Sequence, residues 1–382
     1  MNCNGGAIPD SLFSTEGRAH RLNSMDFELR RTDLHQTRFL SGDAPSPEDG
    51  QALLRVESFG LTANNITYAV FGEAMRYWDF FPASDPDWGK LNVWGYAHVE
   101  ESRHPDLAQG TRVYGYLPCA SHLVVVPDRI NEKGFVDAAP HRAALPSAYQ
   151  GYRDVQTDPV YSAGRQAEHI LFFPLFFTSF LIDDFLADES FFGADTILIS
   201  SASSKTAIIA AYLLAKRDGI EIVGLTSAGN SEFVKGLDIY DSVYLYEDLG
   251  DVSKLPGDRA VYVDVSGDGA VRSDVHGHYG DRLAHSAAVG MTHWTQMAHG
   301  TRHLEGPSPV LFFAPDRIKK RGADWGTAQL DQNVAEAWAP FAQWASDWLR
   351  VERISGEDDL QRAYLELLDG KVDPTVGTIA DL

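Results

Sequence analysis

Between Ser201 and Ala207 the chain reads Ser-Ala-Ser-Ser-Lys-Thr-Ala, a run of hydroxyls around one lysine, without a glycine. Hydroxyls and an ammonium at the head of a helix are phosphate-binding chemistry, because the first helical N–H groups are unpaired and the dipole there is positive. The flanking segments supply that helix. Thr196-Ile-Leu-Ile199 is a short β-branched apolar run of the kind that lies in the middle of a parallel sheet. Ile208 to Lys216 is helix-forming and apolar, Gly219 is a C-terminal stop, and Ile220 to Leu225 is a second apolar strand. Such a βαβ unit carries a dinucleotide when glycines let the pyrophosphate approach the backbone. Without them, either Lys205 and the hydroxyls of Ser203, Ser204 and Thr206 replace that contact, or the dinucleotide is gone. The same residues have a plainer reading, in which Ser203 or Ser204 caps the helix and Lys205 points to water.

The chain has 382 residues, 44% hydrophobic and 11% aromatic, enough for a sizeable core and suggestive of two domains. Thirty-two basic against 54 acidic residues leave a net charge of −22. That field repels nucleic acid and anionic lipid, so neither is an expected partner, and a bound phosphate needs a local positive site. The longest apolar cluster, Ile170 to Ile182, is broken by Pro174, Thr178 and Ser179. It falls short of the roughly 20 residues that span a bilayer. The opening residues lack an apolar signal segment, and the only cysteines are Cys3 and Cys119. A reducing, cytoplasmic setting is the expectation.

Residues before Met25 are polar and aperiodic, and 1–24 are expected to form a disordered leader. Short strands are predicted over Ala52 to Phe59, Leu91 to Glu101, Arg112 to Tyr116 and His122 to Val126, a compact β-rich module. Inside it, Phe71 to Lys90 reads as an aromatic loop (Tyr77, Trp78, Phe80, Phe81, Trp88) that lines a pocket or fills a satellite core. From Ile170 helices and strands alternate, with strands expected at Ser242 to Tyr246, Ala260 to Val265, Arg282 to Gly290 and Val310 to Ala314. That alternation predicts a doubly wound parallel sheet. Asp331 to Val351 carries Val334, Trp338, Phe341, Trp344 and Trp348 at helical spacing and is read as an amphipathic packing helix. The histidines His276, His278, His285, His293, His299 and His303 have irregular spacing and are read as scattered polar surface.

The order of short motifs carries a family resemblance. Asn64-Asn-Ile-Thr-Tyr68, Val93-Trp-Gly-Tyr-Ala97, Gly110-Thr-Arg-Val-Tyr-Gly115 and Ala120-Ser-His-Leu-Val124 precede the βαβ unit, and Leu367-Leu-Asp-Gly-Lys-Val-Asp-Pro-Thr-Val-Gly377 closes the chain. This arrangement resembles the medium-chain dehydrogenase/reductase superfamily, in its zinc-free quinone and enoyl reductase branch, and a bacterial subgroup known as a domain of unknown function. The resemblance implies an α/β protein: a GroES-like β-rich catalytic domain over 25–170, a Rossmann-type nucleotide domain with a doubly wound parallel sheet over 171–318, and a C-terminal return over 319–382. It also implies a possible homodimer.

Zinc-dependent members of that superfamily carry thiolate, imidazole or carboxylate ligands where this chain has Leu61 or Thr62, then Gly95-Tyr96-Ala97, then aromatics around Phe173. None of these donates to zinc, so no metal is expected. The resemblance makes Tyr68 and Asn65 the groups that hold a substrate carbonyl: a phenol with a reference pKa of about 10 donates a hydrogen bond or proton at neutral pH, and an amide holds oxygen without changing charge. The competing reading is that Asn64 and Asn65 fix a loop while Tyr68 packs beside Tyr96. Ser227, Asn230 and Tyr246 match positions that touch the adenosine ribose or its phosphate, and Thr292-His293 follows a strand whose end faces the nicotinamide, with His293 as acid/base or substrate contact. Gly224-Leu-Thr-Ser227 lacks the acid that would hold a ribose 2′-hydroxyl, which favours NADPH over NADH. The resulting expectation is a zinc-independent, NADPH-linked reductase of an activated or α,β-unsaturated carbonyl compound, with an apolar or planar small-molecule substrate. The alternatives are a reductase-like scaffold that does lyase, hydrolase or isomerase chemistry without nucleotide, and a non-catalytic binding protein.

Overall fold

The computed structural model describes residues 23–250, 255–289 and 304–382. Among these, three sheets form. The smallest joins β1 (Asn23–Arg30), β2 (Asp33–Asp43) and β4 (Trp88–Lys90) in the order β2-β1-β4. The first strand therefore starts at Asn23, ahead of the alternation noticed at Met25. The Phe71 to Lys90 segment is more regular than its composition suggested: Tyr77–Asp79 is a 3-10 turn, and Trp88–Lys90 pairs with β1.

The second sheet contains β3 (Ala52–Leu61), β5 (Asn92–Ser102), β6 (Arg112–Pro118), β8 (Pro127–Asn131), β9 (Gly134–Asp137), β10 (Gly151–Asp154), β17 (Arg350–Ser355) and β18 (Val376–Asp381). Their order is β17-β18-β3-β5-β6-β10-β9-β8, with β7 (His122–Val125) also on β3. The C-terminal strand thus returns to the β module by pairing with β3. The expected helix to Val351 ends earlier, spanning Thr327–Ala345, because Arg350–Ser355 is taken up as a strand parallel to β18. Trp338 and Phe341 of that helix are buried among Phe172, Phe173 and Phe176, the packing role read from their spacing.

Alternation along β5 and β6 aims Trp94, Tyr96, Tyr114 and Tyr116 to one face, in cross-strand pairs Trp94↔Tyr116 and Tyr96↔Tyr114. Gly95, between the two β5 aromatics, has no room for a side chain: an added Cβ would lie 2.1 Å from the Ser58 carbonyl oxygen and 2.8 Å from Phe59 Cα. Backbone, unlike a side-chain tip, cannot step aside. Gly95→Ala is expected to lower stability by about 1–3 kcal/mol and to disturb the aromatic face, read as a lower denaturant midpoint with an altered near-ultraviolet dichroism.

The third sheet is parallel throughout, with β11 (Thr196–Ser200), β12 (Glu221–Thr226), β13 (Ser242–Leu245), β14 (Ala260–Asp264), β15 (Leu283–Ala288) and β16 (Val310–Leu311) ordered β13-β12-β11-β14-β15-β16. This is the Rossmann-type doubly wound arrangement. Its switch point lies between β11 and β14, where crossovers leave to opposite faces and open a crevice at the carboxyl ends of the strands. Ile197, Leu198 and Ile199 of β11 are fully buried, as a central strand covered on both sides requires.

Helix Gln166–Asp188 links the two modules, touching β3, β5 and β18 on one side and helix Lys205–Leu214 on the other. It runs through Pro174, so the apolar cluster Ile170 to Ile182 belongs to a longer element than its breaks indicated. By length and composition the stretch Ala163–Asp188 could cross a membrane, yet most of its apolar window is buried inside the protein.

Candidate functional site

At the switch point the Ser201–Ala207 turn solves its missing-glycine problem in two ways. Ser201 itself adopts the left-handed conformation, with φ of +54°, that glycine would take without strain. The turn's backbone is then satisfied by tyrosines from neighbouring segments: Ser201 N–H donates to Tyr246 Oη at 2.7 Å, and Tyr240 Oη donates to the Ala202 carbonyl at 2.9 Å. Tyr240 and the conformation of Ser201 were not legible in the sequence, since neither is adjacent in type or spacing to a known signal.

The hydroxyls divide their work. Ser204 caps helix Lys205–Leu214, accepting from Ala207 N at 3.3 Å. Ser203 Oγ accepts from Asn230 Nδ2 at 3.0 Å, which ties the turn to the end of β12. The Thr206 carbonyl accepts from Ser179 Oγ, while Ser227 stands exposed at the following 3-10 turn. Lys205 is not left to water. Its Nζ donates to the Val376 carbonyl of β18 at 2.9 Å, bridging the nucleotide-type domain to the β module. Crowding by protein around this half-buried ammonium lowers its pKa to about 8, with Asp373 the opposing acid that raises it. Ser201, Ser203, Lys205 and Thr206 all keep partial exposure at the crevice.

Beside the crevice Asp264, fully buried at the end of β14, organises the neighbouring loop. Its Oδ1 accepts from Ser200 Oγ, Ser266 Oγ and Gly267 N at 2.9–3.0 Å, and its Oδ2 pairs with Arg272 at 2.6–2.8 Å. Nothing in the sequence pattern singled out this pair.

The second constellation lies on the β5–β6 face. Helix Ala63–Val70 brings Tyr68 against Tyr77, Phe80, Phe81, Tyr116 and the half-buried Trp94 and Tyr149. Its packing neighbours are therefore these rings, and not the Tyr96 expected from sequence. Tyr68 Oη accepts from Asn64 Nδ2 at 2.7 Å and from Trp94 Nε1 at 3.0 Å, and its ring meets that of Tyr149 edge-on at 6.0 Å. Burial holds the phenol well above its ordinary pKa, so it stays protonated at neutral pH as a hydrogen-bond donor.

Asn65 is placed differently. Its Oδ1 accepts from Thr62 N at 2.6 Å as part of a capping box, and its Nδ2 donates to the Asn92 carbonyl at 2.9 Å. Both polar atoms are committed to backbone, the loop-fixing arrangement weighed as the alternative. Asn92 in turn donates to the Tyr77 carbonyl at 2.8 Å, so Asn65 positions the aromatic segment from beneath. Asn64 and Trp94, the groups that donate to the phenol oxygen, were missed as site residues. The i, i+4 spacing of Asn64 and Tyr68 on one helical turn was the signal that could have found the first.

Where the resemblance would put a metal, the chain instead packs Tyr96 Oη against His169 Nδ1 at 2.6 Å, with the imidazole stacked 4.1 Å from Tyr114 and 4.9 Å from Phe173. Burial lowers His169 to about 3, so it is neutral. Among the described residues no group of three or more His, Cys, Asp and Glu side chains could hold a metal ion. The reading of the histidines as scattered surface is corrected for His276, which is fully buried with Nε2 3.0 Å from Ser286 Oγ and Nδ1 2.8 Å from the Glu305 carbonyl oxygen. His285 stacks on Phe192 at 4.3 Å. Thr292, His293, His299 and His303 lie outside the described residues.

The family described as "Protein of unknown function (DUF2855)" matches residues 59–373. No curated protein matches the chain in sequence. In structure it is similar to CurA from Vibrio vulnificus, crystallised in complex with NADPH (15% identity over 94% of this chain and 99% of that one, TM-score 0.58). It is likewise similar to a putative NADPH:quinone reductase from Mesorhizobium loti (11%, 94% and 98%, 0.57). A quinone oxidoreductase from Coxiella burnetii is a third (12%, 94% and 100%, 0.55). The chain thus shares the fold of these solved structures, a GroES-like β-rich module joined to a Rossmann-type one.

Proposed function

We propose that this chain, which belongs to the DUF2855 family of unknown function, is a zinc-independent oxidoreductase that binds NADPH in the crevice and reduces an activated or α,β-unsaturated carbonyl compound at Tyr68. The observation that carries the proposal is the Tyr68 phenol, whose oxygen accepts from Asn64 and Trp94 and whose hydrogen is left to donate. The structural likeness to a protein crystallised with NADPH supports the cofactor. The donor set at the turn suits a diphosphate: the Ser203 hydroxyl, the Lys205 ammonium and the helix head, all partly exposed. The end of β12 carries no acid to repel a 2′-phosphate, which supports NADPH over NADH. When bound, the nicotinamide supplies hydride. Tyr68 holds the carbonyl oxygen and supplies a proton, Trp94 and the Tyr77–Phe81 segment give an apolar wall, and Lys205 leaves the Val376 carbonyl to pair with phosphate.

One observation favours the reductase-like scaffold without nucleotide: the Ser201 N–H and the Lys205 ammonium, two donors a diphosphate would use, are already bonded to Tyr246 and Val376. Proton linkage separates the readings. Lys205 has a pKa depressed to about 8, so above that pH it is increasingly neutral in the free protein, and a bound phosphate draws it back to the charged form. Calorimetry in buffers of different ionisation heat is expected to show NADPH binding with proton uptake just above pH 8 and affinity falling as pH rises through that window. Lys205→Met is expected to weaken NADPH roughly 10- to 150-fold, the value of a charge-assisted bond, and to abolish the uptake. With its folded pKa below its usual one, charged Lys205 is a burden that eases as pH rises from about 8, so the variant should melt no lower than the unaltered protein. No binding of NADPH by the unaltered protein removes the reductase reading.

A further inference from the structure

We propose that Asn64 and Trp94 are positioning residues that hold the negative oxygen left on Tyr68 when its hydrogen passes to substrate. Two donors converge on that oxygen from different elements. Asn64 Nδ2 donates at 2.7 Å from one turn earlier in helix Ala63–Val70, and Trp94 Nε1 donates at 3.0 Å from β5. An indole nitrogen only donates, so the sense of the second bond is fixed. A phenol oxygen that accepts two bonds keeps its own hydrogen for a third direction, where a substrate can take it.

The same two bonds are worth more to a phenolate than to a phenol, because a hydrogen bond to an ion is roughly twice as strong as one between neutral groups. That difference favours transfer of the hydrogen. Both donors are already in place when the charge appears: Asn64 shares a helix with Tyr68, and the Trp94 ring is packed against Tyr114 and Tyr116 at centroid distances of 5.9 and 5.2 Å. Donors aimed in advance cost no reorganisation during the reaction.

No other neighbour in contact supplies that help. Among the described residues, the titratable rings packed on Tyr68 are Tyr77 of the 3-10 turn, Tyr116 of β6 and Tyr149 of the turn Ser147–Tyr149, at centroid distances of 4.8, 5.2 and 6.0 Å. Burial raises the pKa of each, so all three are neutral at neutral pH and bring no positive charge. Burial raises Tyr68 as well, while the bonds from Trp94 and Asn64 act in the opposite direction.

The step rests on the reductase reading for its acceptor. As hydride from the nicotinamide reaches the enone, negative charge develops on the enolate, the Tyr68 O–H bond breaks and its proton bonds to the enolate. The electron pair of that bond stays on the Tyr68 oxygen, facing Asn64 Nδ2 and Trp94 Nε1. A proton from solvent then restores the phenol, so each turnover consumes one hydride and one proton.

The test places a fluorinated tyrosine, which ionises nearer neutrality, at position 68 of the full-length protein without nucleotide, and follows its ionisation by the ultraviolet absorption of the phenolate. Asn64→Leu and Trp94→Phe each remove one donor, and each is expected to lower the ionisation constant of that residue roughly tenfold. Asn64→Asp, the isosteric variant should Asn64→Leu fail to fold, is expected to lower it further, because two anions then meet. With NADPH and a small enone, Asn64→Leu is expected to reduce kcat roughly tenfold with KM unchanged, and the more acidic fluorinated residue at position 68 to recover most of that loss. A purely structural role for Asn64 would not be rescued by a more acidic phenol. Unchanged ionisation in the variants overturns the inference whether or not NADPH binds. Shifted ionisation without any NADPH turnover upholds the two donors and overturns the reductase reading alone.

Discussion

Tyr68→Phe is expected to lower NADPH-dependent reduction of an enone roughly 100-fold, with NADPH affinity unchanged. General acids contribute on that scale, and the substituted ring keeps its contacts with Tyr77, Tyr116 and Tyr149. The loss should fall on kcat, since the hydroxyl interacts most strongly with the charge that develops during the reaction. Because burial holds the phenol far above neutrality, turnover should show no pH dependence from Tyr68 across the neutral range. Asn65→Ala is the informative contrast. Its amide serves the Thr62 cap and the Asn92 carbonyl, so its loss is expected as about 1–2 kcal/mol of stability, seen in the denaturant midpoint. A Tyr68→Phe protein that reduces enones at the unaltered rate would remove the phenol from the chemistry.

The largest stability effect is expected at Asp264. Asp264→Ala strands the Arg272 guanidinium, itself nearly buried, and unties Ser200, Ser266 and Gly267 together. Removing one partner of a buried pair costs about 3–5 kcal/mol, because the other charge is left in a poorly solvating interior. Denaturant unfolding of the variant should show a lower midpoint with a similar slope. Replacing both members, Asp264→Leu with Arg272→Met, should lose clearly less than the single change, since no charge is then stranded. Asp264→Ala bears on the site as well: β14 lies at the switch point, where doubly wound sheets bind their ligands, so NADPH affinity should fall along with stability.

Much of the architecture was legible in local pattern. The buried apolar runs Thr196–Ser200 and Glu221–Thr226, separated by a helix that begins at Lys205, are the parallel strands and crossover that their composition implied. The strands of the β module lie within a few residues of their expected limits, because alternation registers which face is buried. Pattern failed where a distant partner decides. Arg350–Ser355 is exposed and strand-forming only because β18 offers it a parallel edge, and the helix through Pro174 persists because neighbours on both sides hold it.

The site divides along the same line. The chemical types were set by sequence alone: a hydroxyl and lysine turn at a helix head, an asparagine and tyrosine helix in an aromatic module, and a strongly acidic composition. Which of those groups act, and with whom, was decided by tertiary structure. Lys205 reaches Val376 across 171 positions, Tyr246 closes the Ser201 amide, Asn65 is spent on backbone, and Tyr68 gains Trp94. The reason is physical: a hydrogen bond acts over about 3 Å, and only the folded chain determines which donors and acceptors come within that reach.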